Sequence, residues 1–416
     1  MAKKAAPLSP LAPTGGFPRI PAIGGVTLAA GAAGVRYRDR PDVVLGVLPE
    51  GTTVAGVLTR SKSASAPVQW CRHNLEGGHA RALVVNAGNA NAFTGAVGER
   101  SVKRTAEAAA ALLGVSPGEV FIASTGVIGE PLPEQRIIDV LPALKGGLKP
   151  EGFEAAARAI MTTDTFAKGA SRRVRIGNAT VTIAGFCKGA GMIAPNMGTL
   201  LTFLFTDARL PADVLQACLV RAVNKSFNCI SIDGDTSTSD TCLLFATGAV
   251  GAAQPAIEGL DDPNLTEFRR GLNKVCRELA QLVVRDGEGA SKFVTIRVNG
   301  ATCKKSARKL GLSVAGSPLV KTAVAGQDPN WGRIVAALGK AGEPMDQNLL
   351  RIWIGGLPVA ENGARHPAYD EAALARHMKG QEIEIEIELG LGSGACTVWT
   401  CDLTHGYIDV NADYRS

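Results

Sequence analysis

Aromatic residues are scarce in this chain: Phe, Trp and Tyr together make up 5% of its 416 residues. Proteins that bind single-stranded nucleic acids stack the bases on aromatic side chains, so this scarcity argues against that class. The net charge of +6 is small for the length, and the basic residues are scattered apart from short pairs such as Lys3-Lys4. A solvated surface, or a weak preference for anionic small molecules, explains this charge better than a nucleic-acid groove does.

Several targeting and ligand patterns are also missing. No apolar run approaches the length of a membrane-spanning helix. Residues 1–16 lack the apolar core of a secretory signal and contain three prolines, so we expect a flexible tail there. The five histidines show no H-x-x-x-H spacing, so no metal site is expected. The nine cysteines form no C-x-x-C pair, which favours reduced, buried thiols and a cytoplasmic location.

Short apolar strands and amphipathic helices alternate along the rest of the chain. Val43–Leu48 and Val54–Leu58 flank a four-residue turn, which predicts a hairpin. A second hairpin is predicted around Gly177-Asn178, the longest amphipathic helix over Thr266–Val284, and a half-buried strand over Glu382–Leu389, which alternates strictly. The mixture predicts the α+β class, with layered helices over largely antiparallel sheets.

Two further local predictions concern the second half of the chain. Asp207 precedes a helical pattern over residues 212–224 and is expected to be its N-cap. Tyr407–Val410 is rich in β-branched and aromatic residues and is expected to be the last strand.

The segment Lys188–Phe205 differs in character from the rest of the chain. Its first half is rich in glycine, and Leu200–Phe205 has the composition of a fully buried strand. Between them, Thr199 follows Gly198, and a threonine hydroxyl in this position can attack the preceding carbonyl. The α-amine freed by cleavage, with a pKa of roughly 7.7–8.0, can then act as the base for its own hydroxyl. By spacing alone, an ordinary loop that leads into a core strand is by a wide margin the better interpretation.

Several long motifs in sequence order decide between these interpretations. They are NAGNAN from Asn86, STGVIGE-x-LP from Ser124, KGAGMIAPNMGTLLTFLFTDA from Lys188, DGDTSTSD from Asp233, and SPLVKTA-x-x-G-x-DPNWGR over Ser317–Arg333. Together they resemble the ornithine acetyltransferase family, also called the bifunctional glutamate N-acetyltransferase family. The resemblance runs from about Phe17 to Ser416. Gly198 replaces the alanine of the family's Met-Ala-Thr triplet, and Ser239 replaces an asparagine.

The resemblance implies that the chain cuts itself between Gly198 and Thr199. An α chain of residues 17–198 and a β chain of residues 199–416 would then form one intertwined unit, with a dimer of such αβ units. Matching positions to the family motifs assigns the roles that follow. They are Thr199 as nucleophile, Thr125 and Gly126 as oxyanion donors, and Thr162, Lys188, Thr199, Glu288, Asn411 and Ser416 as substrate contacts. Thr163 adjoins Thr162, so either of the two can be the contact.

The implied reaction moves an acetyl group from N2-acetylornithine to L-glutamate through acetyl-Thr199, in arginine biosynthesis. No cofactor is expected, and use of acetyl-CoA as a second acetyl donor stays open. The Asp233–Asp240 loop lacks the spacing of an EF-hand, and we expect it to be a scaffold whose hydroxyls hold the new N-terminus. Two alternatives remain: a self-cleaving amide hydrolase or aminopeptidase with the same nucleophile, and a binding protein that never cleaves.

Overall fold

Three β-sheets organise the structure, a computed structural model that describes residues 7–194 and 200–412. The strands in these ranges are β1 Thr27–Gly31, β2 Val43–Val47, β3 Thr53–Leu58, β4 Ala82–Asn89, β5 Val120–Val127, β6 Lys168–Ile176, β7 Ala179–Lys188, β8 Leu201–Thr206, β9 Ile230–Ser231, β10 Thr241–Ala246, β11 Phe293–Ala301, β12 Arg351–Ile354, β13 Leu357–Glu361, β14 Ala364–Arg365, β15 Glu382–Glu388 and β16 Gly394–Cys401. The α-helices are α1 Ala66–Asn74, α2 Gly95–Leu113, α3 Glu134–Gly146, α4 Phe153–Ala159, α5 Ala212–Val223, α6 Thr266–Arg285, α7 Lys304–Ala315, α8 Pro318–Ala325, α9 Trp331–Gly339, α10 Glu371–Met378 and α11 His405–Ala412.

The sheets are largely antiparallel, as predicted. The strand orders are β1-β2-β4-β5, β3-β10-β8-β7-β6 and β14-β13-β12-β15-β11-β16-β9. Among the described residues, nine of the thirteen strand pairings are antiparallel and four are parallel. With helices on the outside, this is the α+β class.

The four-stranded and five-stranded sheets pack face to face through an aromatic core. Phe121 of β5 meets Phe245 of β10 edge-on, with ring centroids 6.1 Å apart. Alternation along β5 sends its other face, including Ile122, against α2 and α3. Helices α5 and α6 cover the outer face of the five-stranded sheet. Each fully buried phenylalanine contributes about 1.5–3 kcal/mol of hydrophobic free energy, so this core fixes the spacing of the two sheets.

The predicted long helix and the alternating strand are both confirmed. Helix α6 has 20 residues and buries the face that includes Leu272, Val275 and Leu279. In β15 the three isoleucines are buried and the glutamates between them are exposed. The hairpin around Gly177-Asn178 is also present, with Ile176 paired to Ala179 across the turn. Among the described residues, none of the helices is both long and apolar enough to span a bilayer.

The hairpin predicted over residues 43–58 is wrong. Strand β2 pairs with β1 and β4 in the four-stranded sheet, whereas β3 pairs with β10 in the five-stranded sheet. The turn at Pro49–Thr52 therefore carries the chain from one sheet to the other. Local turn residues fit both geometries, and pairing with distant strands decides between them.

Two other local predictions are also wrong. Helix α5 begins after Pro211, and Asp207 instead accepts a hydrogen bond from the backbone N–H of Thr182 (2.7 Å). Residues Tyr407–Val410 lie in helix α11, which has no buried residue within the described chain, so there is no core that a strand here would join. In addition, the stretch predicted as a flexible tail packs against the body from Ser9, whose hydroxyl donates to the Arg285 carbonyl (2.6 Å).

Candidate active site

A cavity of about 360 Å³ lies at the carboxyl ends of β5 and β7. It brings together residues that are far apart in the sequence, and the predicted site residues among them are Thr125, Gly126, Thr162, Lys188, Glu288 and Asn411. Thr163 also lines it, so both candidates for the threonine contact face the same space. Gly198, Thr199 and Ser416 were also predicted and lie outside the described residues. Their neighbour Leu201 pairs with Lys188 across β7 and β8.

Thr125 and Gly126 lie in strand β5. Parallel pairing sets Gly126 opposite Gly88 of β4, and Gly126 has a φ of +133°. A Cβ atom added to Gly126 would lie 2.2 Å from the Gly88 carbonyl carbon, so only glycine fits. The Ser124 hydroxyl donates to the Asn86 side chain (2.6 Å), which braces the two strands against each other. The Thr125 hydroxyl and the Gly126 backbone N–H are therefore held rigidly.

The family resemblance implies that the Gly126 N–H donates to an oxyanion, so Gly126→Ala is expected to lower kcat by about 10²–10³-fold. The added methyl group forces β5 away from β4 and displaces the N–H group. Steady-state kinetics check this, with Gly114→Ala as the matched control. Gly114 also has a positive φ, +70°, but its Cβ would meet no atom within 4 Å. Equal kcat values for the two variants would show that the β5 backbone does not act in the reaction.

Lys188 is the cation at the base of the cavity, and its side chain is only 3% exposed. Its Nζ donates to the Thr125 hydroxyl at 3.4 Å and lies 4.0 Å from Oδ2 of Asp164. Burial lowers the pKa of the Lys188 ammonium, and Asp164 opposes that shift. Because the Lys188 ammonium donates to the Thr125 oxygen, the hydroxyl proton of Thr125 points away from Lys188 and is free to face the cavity.

Glu288 is the carboxylate on another wall of the cavity. Asn411 Nδ2 donates to its Oε2 at 2.7 Å, and helix α11 holds Asn411 in place. A Cβ at Gly191 would lie 2.4 Å from the same Oε2, so glycine is needed for this close approach. Burial raises the pKa of Glu288 above its ordinary value of 4.5, while hydrogen bonds from Asn411 and Thr163 oppose the shift. The Lys188 ammonium and the Glu288 carboxylate thus line the same cavity as Thr125 and Gly126.

The comparisons with known proteins agree with the motifs. A protein-family model described as the ArgJ family matches residues 27–416. The chain belongs to the ArgJ family. Two relatives named arginine biosynthesis bifunctional protein ArgJ are similar to it over almost their whole length. The one from Nitrobacter winogradskyi is 54% identical and the one from Bradyrhizobium diazoefficiens 55%, each alignment covering 98% of this chain and 99% of the relative.

Two solved structures are also similar in sequence to parts of the chain. The arginine biosynthesis bifunctional protein ArgJ from Bacillus halodurans is 34% identical, with a TM-score of 0.48, over 50% of this chain and 97% of its own. An ornithine acetyltransferase from Mycobacterium tuberculosis, complexed with ornithine, is 32% identical, with a TM-score of 0.38, over 43% of this chain and 94% of its own.

A buried charge network, which no sequence pattern indicated, lies beneath the cavity. Lys168 is fully buried and pairs with Asp164 (2.7 Å) and Asp286 (2.5 Å). Burial alone would raise the pKa of Asp164, but Lys168 and Lys188 hold it below the ordinary range. Asp164 also accepts the backbone N–H groups of Thr162 (3.0 Å) and Gly189 (2.7 Å). The network therefore fixes the segments that carry both the candidate threonines and Lys188.

Ser239 stands where the family resemblance expects an asparagine, and it lines the cavity. Its backbone N–H is held by the Ser237 hydroxyl (3.0 Å), and its own hydroxyl lies 3.3 Å from that of Thr238. The loop is thus ordered by its own hydroxyl groups. Within the described residues, no group of three or more histidine, cysteine or carboxylate side chains is arranged to hold a metal ion.

Proposed function

We propose that the chain transfers an acetyl group from N2-acetylornithine to L-glutamate through an ester on Thr199. The observation that supports this proposal most strongly is that Lys188 and Glu288 line the same cavity as Thr125 and Gly126. An ammonium and a carboxylate match the α-carboxylate and the δ-ammonium of N2-acetylornithine. The family membership and the name of the relatives, which places them in arginine biosynthesis, support the same substrate class.

In the proposed mechanism Thr199 is a new N-terminus, and its α-amine takes the proton from its own hydroxyl. The hydroxyl oxygen attacks the acetyl carbonyl, and the Thr125 hydroxyl with the Gly126 N–H stabilises the oxyanion. Ornithine leaves with a proton returned by the α-ammonium of Thr199. The amine of glutamate then attacks the ester and leaves as N-acetylglutamate. Water must be kept out while the ester exists, because hydrolysis would waste the acetyl group.

The five-stranded sheet supports the proposal that the two chains stay together after cleavage. Strands β3, β6 and β7 precede residue 199, whereas β8 and β10 follow it. Strand β8 lies between β7 and β10, so each chain would supply strands that the other needs for pairing. We propose an αβ unit of 198 and 218 residues, paired with a second such unit.

The experiment is a transfer assay with purified protein, N2-acetylornithine and glutamate, without coenzyme A, read by mass spectrometry. We expect N-acetylglutamate and ornithine to form in equal amounts. Release of acetate without N-acetylglutamate would instead indicate the amide hydrolase. A second reaction with glutamate and acetyl-CoA tests whether acetyl-CoA is also a donor, as the word bifunctional in the name of the relatives suggests.

Because its pKa is raised, Glu288 is expected to give the KM values of the two substrates different pH dependences. As the pH falls towards that raised pKa, Glu288 loses the charge that binds the δ-ammonium, so KM for N2-acetylornithine rises at a higher pH than it would with an ordinary glutamate. The protonated carboxyl donates a hydrogen bond to the γ-carboxylate of glutamate, so KM for glutamate does not rise. Initial rates between pH 5.5 and 8 check this prediction.

Glu288→Gln is the matched variant, since it imitates the protonated form at every pH. We expect it to raise KM for N2-acetylornithine about tenfold or more, to spare KM for glutamate, and to abolish the pH dependence. Glu130→Gln, at an exposed carboxyl, is the control. Parallel changes of both KM values would mean that Glu288 does not contact the δ-ammonium.

A further inference from the structure

Cys229 and Cys396 are two thiols that the proposed transfer does not use and that lie side by side. Their sulfur atoms are 3.9 Å apart, although the residues are 167 positions apart in the sequence. Neither residue lines the cavity of the candidate active site. Ile230, which follows Cys229, pairs with Trp399 of β16, the strand that also carries Cys396. The pairing of β9 with β16 therefore keeps the two sulfur atoms close together.

The two thiols differ in their access to solvent. Cys229 is only 2% exposed, whereas Cys396 is half-buried. Among the other cysteines Cys303 is exposed, and the rest are buried. A small oxidant in solution can therefore reach the Cys396 sulfur directly, while the Cys229 sulfur lies behind it in the protein.

The two thiols also differ in how readily they ionise. The Cys229 thiol donates a hydrogen bond to the Cys396 sulfur, which raises the pKa of Cys229 and lowers that of Cys396, although burial opposes the second shift. The Asn224 carbonyl oxygen, 3.4 Å from the Cys229 sulfur, is a second acceptor for the same thiol. The charges of Arg308 and Lys304 on α7 favour the thiolate of Cys396. Since the thiolate is the nucleophilic form, Cys396 is the reactive member of the pair.

We propose that Cys229 and Cys396 form an oxidation site, at which a peroxide converts the two thiols into a reversible disulfide. In the first step the Cys396 thiolate attacks hydrogen peroxide and the O–O bond breaks. This gives the sulfenic acid of Cys396 and a hydroxide ion, which takes up the proton that Cys396 had lost. In the second step the Cys229 sulfur bonds to the Cys396 sulfur as the S–O bond breaks, and the hydroxyl group leaves with the Cys229 proton as water. The two thiols lose two electrons in total, and the peroxide gains them.

The disulfide needs little movement of the protein. An S–S bond is about 2.0 Å long, so the sulfur atoms must approach each other by about 2 Å. Rotation of the two side chains about their Cα–Cβ bonds can supply this distance while β9 and β16 stay paired. An accessible thiolate beside a second thiol is the usual arrangement at redox-sensitive sites. Closure also removes the sulfenic acid before a second peroxide molecule can oxidise Cys396 irreversibly.

The test is peptide mass spectrometry of the purified protein after brief exposure to hydrogen peroxide and alkylation of the remaining thiols. The parent protein carries Cys303→Ser, which removes the exposed thiol. We expect a disulfide between Cys229 and Cys396 that dithiothreitol reverses. It should form at least about tenfold faster than the Cys71 thiol is lost, because Cys71 is fully buried and burial raises its pKa to about 12. Both thiols follow residue 199, so the result does not depend on whether the chain is cut.

Single variants separate the roles of the two thiols. In Cys229→Ser, Cys396 should stop at the sulfenic acid, which dimedone should label at least about tenfold more than in the parent. In Cys396→Ser, Cys229 should stay reduced. Two reduced thiols in the treated parent, or equal dimedone labelling of the parent and Cys229→Ser, would overturn the proposal. Circular dichroism shows whether each variant is folded, and Cys229→Ala replaces Cys229→Ser if the serine variant is not. The parent measurement stands without any variant of the pair.

Discussion

Thr199→Ala will remain a single chain of 416 residues and will have no acetyltransferase activity. Without the hydroxyl group there is no atom to attack the Gly198 carbonyl and none to carry the acetyl group. Both losses follow from one atom, so activity should fall to background, by about 10⁴-fold or more. Denaturing electrophoresis and intact mass measure the chain length, and the transfer assay measures the activity of the same sample.

The matched control is Thr202→Val, three residues further along. Thr202 is fully buried in β8, and no described group hydrogen-bonds to its hydroxyl, so an isosteric apolar side chain should be tolerated. This variant should cut and transfer like the wild type. A second informative variant is Thr199→Ser, which keeps a hydroxyl and should still cut. If Thr199→Ala yields two fragments, or transfers acetyl groups, another residue must be the nucleophile.

Lys168→Met will destabilise the fold by about 3–5 kcal/mol, the usual effect of removing one partner of a buried charge pair. Methionine fills a similar volume, but it leaves the buried carboxylate of Asp286 without its cation and leaves Asp164 with Lys188 alone, 4.0 Å away. The loss should appear in urea unfolding as a lower midpoint. Both proteins should carry Thr199→Ala, so that each is a single chain and its unfolding does not depend on association.

The control for this prediction is Lys103→Met. Lys103 is 66% exposed on helix α2, and its ion pair with Glu107 (3.8 Å) lies in solvent. Pairs of that kind contribute little, so the change should stay within about 0.5 kcal/mol. If Lys168→Met costs no more than Lys103→Met does, the two carboxylates must find protons or other partners, and the network is not what fixes the floor of the cavity.

The sequence allowed good predictions where the physical cause is local or is written in a motif. The alternation in Glu382–Glu388 predicts a strand with one buried face, and the apolar stripe of Thr266–Arg285 predicts a helix with one buried face. Both elements, β15 and α6, are present. Thr125 and Lys188 were predicted because each lies in a long family motif, and Glu288 because the resemblance assigns it a substrate contact; all three line one cavity. The roles of these residues remain predictions.

Two of the errors and omissions have the same cause, which is contact between residues far apart in the sequence. Strand β3 pairs with β10, about 190 residues away along the chain, and nothing in residues 43–58 reports that partner. Lys168 and Asp286 are 118 residues apart, and a lysine in a strand gives no sign that it will be buried between two carboxylates. Asn411 was assigned from a motif, but its helix was not, because the composition of Tyr407–Val410 resembles that of a strand.

The placement of β8 between β7 and β10 has a consequence for how the protein is made. In the uncut precursor β7 and β8 belong to one chain, so they meet at the small entropic cost of closing a short loop. Once the bond is broken, the same pairing joins two separate molecules, and a denatured sample can regain it only through a bimolecular encounter. The mature enzyme would therefore retain a fold that formed while it was one chain. After full denaturation, its two fragments would refold more slowly and less completely than the uncut precursor.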